Sequence, residues 1–293
     1  MIGELSALLT AVFWTLSASV FASATVRAGS VAVNVVRLVI AAVYLAIWIS
    51  ISGAAITLST SQVVALGVSG VIGLAFGDSF LFRAFHEIGA RVTMLIMATS
   101  PAVAAVLAYL FLHESLSLLG SLGILVTLVG IGVVVMEGGR ENASSVSWRG
   151  VFFAVLASIG QGTGLIFAKA AFVEGPIDGF VATLVRIAAS LVIMVPVGMV
   201  ASRSTSGFHV LRTDRRALGL TAVGALFGPF FGITFSLIAV ANTGVGVAAT
   251  LMSTVPILML PLVHFVNKER LSWRAISGAF VAVAGVAILF LRR

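Results

Sequence analysis

The sequence predicts an all-α, multi-pass membrane protein of ten transmembrane helices, arranged as two inverted five-helix repeats around a central cavity. Three observations predict it. Of 293 residues, 60% are hydrophobic and only 9% charged, with a mean hydropathy of +1.20. A soluble domain carries about a quarter charged residues, so this chain could not cover itself in water. Apolar runs of the roughly 20 residues that one bilayer crossing needs recur along its whole length. A near-constant offset then maps the second half of the chain onto the first.

The runs fall near residues 4–26, 31–52, 62–86, 91–112, 117–136, 149–172, 179–201, 217–240, 245–266 and 273–291. Lipid offers the backbone no hydrogen-bond partner and these runs are too long for barrel strands, so each is a helix. Met1-Ile2-Gly3-Glu4 has no basic region ahead of its apolar run and reads as a first span rather than a removed signal peptide. The longest polar stretches are 137–148 and 203–216. The first separates a repeat at 1–137 from one at 149–293, with 138–148 as the linker.

The repeat is carried by glycine and proline. At an offset of 155, Gly73, Phe76, Gly77 and Phe80 fall on Gly228, Phe231, Gly232 and Phe235. Gly89, Met97, Thr99 and Pro101 fall on Gly244, Met252, Thr254 and Pro256; Glu114, Leu116 and Ser117 fall on Glu269, Leu271 and Ser272. Nearer the start the offset shortens: Gly3 meets Gly150, and Val36-Arg37 meets Val185-Arg186. Each unit holds five spans, an odd number, so the second enters from the opposite face and the two are expected to be inverted, an architecture for alternating access to a midplane site.

Charge sets the expected orientation. The loops after the odd-numbered spans hold eleven basic residues (Arg27, Arg91, Arg140, Arg149, Arg203, Arg212, Arg215, Arg216, Lys268, Arg270 and Arg274), against Arg292 and Arg293 on the other face. Basic loops stay cytoplasmic, which places both termini together and outside. The same distribution accounts for the net charge of +7 without nucleic acid. The absence of cysteine removes thiol catalysis, disulfides and thiolate metal sites. No GxxxxGK[ST] motif is present for ATP-driven pumping. Phe76-Gly77-Asp78-Ser79 superficially matches a GDSL hydrolase block, but none of His86, His113, His209 or His264 stands three residues after an aspartate. No catalytic residues, metal or cofactor are expected, and an enzyme or a channel remains a weaker alternative class.

Thr99-Ser100-Pro101, then Phe111-Leu112-His113-Glu114-Ser115-Leu116-Ser117, then Gly120, Gly123 and Gly130, recurs at Thr254-Val255-Pro256, Asn267-Lys268-Glu269-Arg270-Leu271-Ser272, Gly278 and Gly285. This resembles the EamA-type transporters of the drug/metabolite transporter superfamily, with the YddG-like aromatic amino acid exporters as the nearest subgroup. The resemblance implies a cavity lined by helices 1–4 and 6–9, with helices 5 and 10 peripheral. It also implies export of amino acids, related metabolites or drugs across a bacterial inner membrane. The expected partners are a small-molecule substrate and the lipid bilayer, and the expected state is a monomer.

Ionisable residues inside spans are costly and stand as functional candidates. Asp78 has Ile233 as its repeat mate, so it breaks the internal symmetry; it reads as a substrate-ammonium partner, a coupling carboxylate, or half of a buried ion pair with Arg37. Arg37 and Arg186, symmetry mates near the starts of spans 2 and 7, could hold a substrate carboxylate or snorkel to the headgroups. Arg83 with Glu87 reads as an interfacial i, i+4 pair, and Lys169 as interfacial. Trp14 and Gln161, mates at an offset of 147, each need a hydrogen-bond partner at mid-membrane. Ser79, Thr99, Pro101, Thr254 and Pro256 complete the cavity candidates, the prolines as kinks that line the cavity or bend. Pro196, Pro229 and Pro261 add further breaks. Gly73 with Gly77, and Gly228 with Gly232, have the spacing for close helix contact. Glu114 and Glu269 read as interfacial caps.

Overall fold

The computed structural model describes residues 1–103, 106, 118–141, 147–202, 206–243, 245–266 and 272–290. The chain opens with α1 (Ile2–Ala28) and turns into α2 (Ser30–Ser52) through the single residue Gly29, whose φ of 77° glycine accepts without a Cβ penalty. Ser59 starts α3 (Thr60–Gly70) with a capping box: its Oγ accepts from Gln62 N–H at 3.1 Å and Gln62 Oε1 accepts from Ser59 N–H at 3.0 Å. The helix continues through a π-helical segment, Val71–Gly77, into α4 (Asp78–Met97), and Gly89 (φ 71°, ψ 174°) bends α4 between spans three and four.

The remaining helices are α5 (Leu118–Glu141), α6 (Trp148–Glu174), α7 (Gly179–Ser202) and the short α8 (Gly207–Thr213). Asp214 caps α9 (Arg215–Ala225), its Oδ1 accepting from Arg216 N–H at 2.8 Å and Ala217 N–H at 3.1 Å. A second π-helical segment, Leu226–Ile233, leads into α10 (Thr234–Asn242), followed by α11 (Val245–Met252), α12 (Val255–Val266) and α13 (Trp273–Phe290). Among the described residues, six helical stretches are long and apolar enough to cross a membrane: Ile2–Ala28, Ser30–Ser52, Thr60–Met97, Trp148–Glu174, Gly179–Ser202 and Arg215–Asn242. Leu122–Val133 and Trp273–Ile288 are apolar but shorter. Glu114 and Glu269 lie outside the described residues.

Large apolar side chains cover the outside as well as the inside; Val43, Val192 and Met199 are exposed, as lipid requires of a helix apolar all round. Trp148 and Trp273, exposed at the starts of α6 and α13, suit the headgroup level. The interior is closed by small residues. A Cβ on Gly160 would lie 2.7 Å from Gly77 Cα, and one on Gly164 3.0 Å from Gly73 Cα, so α6 and the first π segment meet backbone to backbone. A Cβ on Gly70 would lie 2.1 Å from the Arg186 carbonyl oxygen, which sets α3 equally close to α7. The glycine spacings expected to serve packing do so here.

Contacts recur in reciprocal form. Gly73 and Gly77 meet Gly164 and Gly160 of α6, while their mates Gly228 and Gly232 meet Ser17 and Trp14 of α1. Gly130 of α5 meets Gly278 and Ala282 of α13; its mate Gly285 meets Gly123 and Thr127, and Thr127 Oγ1 donates to the carbonyl of its own mate, Ala282, at 3.3 Å. In each pair residue numbers climb on one helix as they fall on the other, so the helices run antiparallel. α2 and α7 do the same, with Gly198 against Val35 and Trp48 against Phe180.

The helix ends are tied the same way. Arg27 Nη1 donates to Asp214 Oδ2 at 3.1 Å. At the positions related to these, Ser59 Oγ donates to Glu174 Oε2 at 3.0 Å, and Ser61 Oγ reaches the same oxygen.

Candidate functional site

Asn34 and Arg37 lie one turn apart on α2, and α4 begins at Asp78, so the π segment delivers a carboxylate opposite the guanidinium. Arg37 Nη2 donates to Asp78 Oδ2, with the two residues only 3% and 6% exposed. Arg37 Nε donates to Asn34 Oδ1 at 3.0 Å, and the guanidinium carbon lies 4.6 Å from the Phe82 ring centre and 5.5 Å from that of Phe21. Asn34 Nδ2 reaches Ser79 Oγ at 3.4 Å, and Ser79 Oγ donates to the Ala75 carbonyl. Arg37 therefore does not snorkel. Its charge is neutralised inside the protein, and Asp78 is half of a buried ion pair.

Arg186, the mate of Arg37, is also buried, at 2% exposure. Its Nε has no hydrogen-bond partner, and among the described residues its side chain forms no ion pair. Its Nη2 lies against Gly73, 3.1 Å from where a Cβ would stand, beside Gln161 Oε1. The mates of Arg37's other partners explain the difference: Ile233 stands for Asp78, Thr183 for Asn34 and Leu237 for Phe82. Thr183 and Thr234, the mates of Asn34 and Ser79, are fully buried and bond to each other at 3.1 Å. Neither the threonines nor Asn34 figured among the sequence candidates; the offset of 149 and the i, i+3 step from Asn34 to Arg37 were the available signals. Among the described residues the buried charges are Arg37, Asp78 and Arg186, an excess of one positive charge.

Gln161 and Trp14 are half-buried at corresponding places, Gln161 by Gly73 and Gly77, and Trp14 Nε1 by Gly232. The two threonine–proline motifs are near-copies. Ala98–Thr99 and Ser253–Thr254 interrupt their helices, and Thr99 Oγ1 donates to Ile96 O at 2.6 Å as Thr254 Oγ1 does to Leu251 O at 2.7 Å. Helices resume at Ser100 and Val255, immediately ahead of Pro101 and Pro256, so each proline sits in a first turn where no N–H is missed. Thr99 also bonds to Ser158 Oγ at 2.7 Å; the mate of Ser158 is Ala11, so Thr254 has no such partner. Pro256 lines a small crevice with Arg91, Leu95, Leu260, Ala275 and Ala279.

The pairing expected of Arg83 and Glu87 is not formed. Arg83 lies over Phe80 and Phe153, at 5.6 and 5.8 Å, and Glu87 accepts instead from Ser147 at 3.1 Å. Two rings on adjoining helix faces attract the guanidinium more than one exposed i, i+4 carboxylate. Lys169 Nζ donates to the Val240 carbonyl at 2.8 Å, at the last turn of α10.

Comparison with solved structures finds a crystal structure, described only as that of a protein, that matches 99% of this chain and 96% of its own at a TM-score of 0.65. Its identity of 16% makes this a likeness of fold alone. No curated protein matches. A family model does, twice, over residues 1–136 and 148–291, the two stretches on either side of the polar linker. With both halves matched and a membrane-spanning helical fold around them, the chain belongs to the EamA-like transporter family.

Proposed function

We propose that the protein is a secondary transporter whose two five-helix halves, inverted in the membrane, present a midplane cavity to one face and then the other. The observation that carries this is the reciprocal antiparallel contact: α1 packs on Gly228 and Gly232 of the second half, and α6 packs on Gly73 and Gly77 of the first. Copies of an odd-membered unit that embrace in this way are upside down relative to each other, so one movement exercised by either half opens opposite faces. The matched interruptions at Ala98–Thr99 and Ser253–Thr254 give helices four and nine equivalent bending points. The substrates are amino acids or related small metabolites, exported across a bacterial inner membrane, with both termini outside; the eleven-to-two split of basic residues supports that orientation.

Solute counterflow in proteoliposomes tests the mechanism. A carrier preloaded with unlabelled amino acid gives a transient overshoot of label, whereas a channel equilibrates without one. Absence of an overshoot for every preloaded solute would refute alternating access.

A further inference from the structure

Resting on the transporter reading above, we propose that Arg186 takes the carboxylate end of the substrate, so that the transported class is small carboxylates, amino acids included, and not organic cations. The two halves treat their matched arginines unequally. Arg37 has a carboxylate, an amide oxygen and an aromatic face. In the second half every one of those partners is replaced, by Ile233, Thr183 and Leu237, and the hydroxyl of Thr183 is taken by Thr234. Arg186 nevertheless stays, buried, with an unpartnered Nε.

A guanidinium within a membrane-spanning segment whose only carboxylate in electrostatic reach among the described residues, Asp78, is already ion-paired to Arg37 is expensive, because two buried positive charges then share one negative charge. A partner that arrives with the substrate resolves this. The guanidinium lies on the seam between the halves, its Nη2 in the space that a Cβ on Gly73 would take and beside the Gln161 amide oxygen. Its planar fork matches a carboxylate through two parallel hydrogen bonds. One unpaired guanidinium offsets one negative charge, which favours a carboxylate over a phosphate monoester carrying nearly two. An organic cation would add a second positive charge to an interior that already holds an excess of one, with Asp78 committed to Arg37, whereas the ammonium of an amino acid enters with its own carboxylate.

The test uses the full chain in proteoliposomes, with counterflow of alanine, leucine, phenylalanine and benzoate, their carboxamides, tetraphenylphosphonium and glycerol 3-phosphate. Carboxylates are expected to exchange, and Arg186→Gln to weaken them on the order of 100-fold. Arg186→Lys, which keeps the charge without the fork, is expected to raise KM with kcat largely retained. Ile233→Asp supplies Arg186 with a carboxylate at the position equivalent to Asp78. It is expected to unfold at or above the wild-type temperature yet lose carboxylate exchange, an outcome a purely structural arginine would not give. Exchange of the amides, the cation or the phosphate in preference to carboxylates overturns the proposal, as does wild-type carboxylate exchange by a folded Ile233→Asp. Counterflow by none of the probes sinks the transporter reading itself, a result distinct from these.

Discussion

Neutralising Asp78 should unbalance the first half of the molecule by a calculable amount. The pair it forms with Arg37 is shielded on both sides, so the cost is that of stranding a buried charge, about 3–5 kcal/mol. Asn34 Oδ1 at 3.0 Å and the Phe82 ring at 4.6 Å stay with Arg37 in any Asp78 variant and cancel from the comparison. Asp78→Asn keeps an acceptor oxygen for Arg37 Nη2 and belongs at the lower end, about 3 kcal/mol; Asp78→Ala keeps neither acceptor nor charge and belongs near 5 kcal/mol. The double variant Arg37→Met/Asp78→Leu removes both ions and should return to within about 1 kcal/mol of wild type. Steric-trap unfolding in bicelles, run as a double-mutant cycle, measures all four states. Should Asp78→Asn prove as stable as wild type, or the double variant as weak as the singles, the pair does not hold this region together. The folded Asn variant also tests coupling: with Asp78 committed to Arg37, the pH dependence of transport is expected to survive.

Gly70→Ala drives a methyl into the Arg186 carbonyl and should cost about 1–3 kcal/mol in the same unfolding assay, with Gly219→Ala, which meets nothing, as the silent control. Thr99→Val loses bonds to Ile96 O and Ser158, about 2 kcal/mol, whereas Thr254→Val loses only that to Leu251 O, about 1 kcal/mol; equal losses would deny Ser158 its part. The N–H of Ala217 foremost, then that of Arg216 and the Arg27 guanidinium, hold the Asp214 carboxyl below its ordinary 3.8. A depressed folded pKa gives support that is complete above the unfolded value and lost as pH falls through the folded one. Amide exchange in the first turn of α9, corrected for intrinsic rate, is therefore expected to hold steady down to about pH 4 and rise only below it, and Asp214→Asn should abolish that step. A reporter active only in the cytoplasm, fused to the C-terminus, should be silent; activity would reverse the proposed orientation.

Much of this architecture can be read from the chain because glycine and proline have few alternatives. Gly89 falls between the third and fourth apolar runs and forms the corner there, and the Thr99 and Thr254 interruptions follow from prolines two residues on. The π segments have no such signature. Pro229 lies in one of them, yet its mate in the other is Leu74, so proline is not their shared cause. What they share is a glycine pair pressed against a helix of the other half, a tertiary fact. The same holds for side chains. Closeness to a span's start left snorkelling open for Arg37 beside the ion pair with Asp78, and the π segment decides for the pair by setting Asp78 next to it. Arg83 and Glu87 share a helix face, yet Phe153 of α6 and Ser147 at its cap, together with Phe80 of α4 itself, separate them. The unequal treatment of Arg37 and Arg186 was half legible: Ile233 opposite Asp78 marked it, and only packing revealed which arginine holds the ion pair and which keeps an unpartnered Nε.

The two tethered ends of the molecule are unlike in kind. One is closed by opposite charges, Arg27 with Asp214, and the other by hydroxyls on a single carboxylate, Ser59 and Ser61 with Glu174. Mobile ions screen attraction between exposed charges within about 10 Å at 0.1 M, but leave a neutral hydroxyl donor nearly untouched. The surrounding electrolyte therefore loosens the Arg27–Asp214 end and spares the Ser59–Glu174 end, so two ends joined at equivalent positions answer differently to ionic strength without any change to the helices.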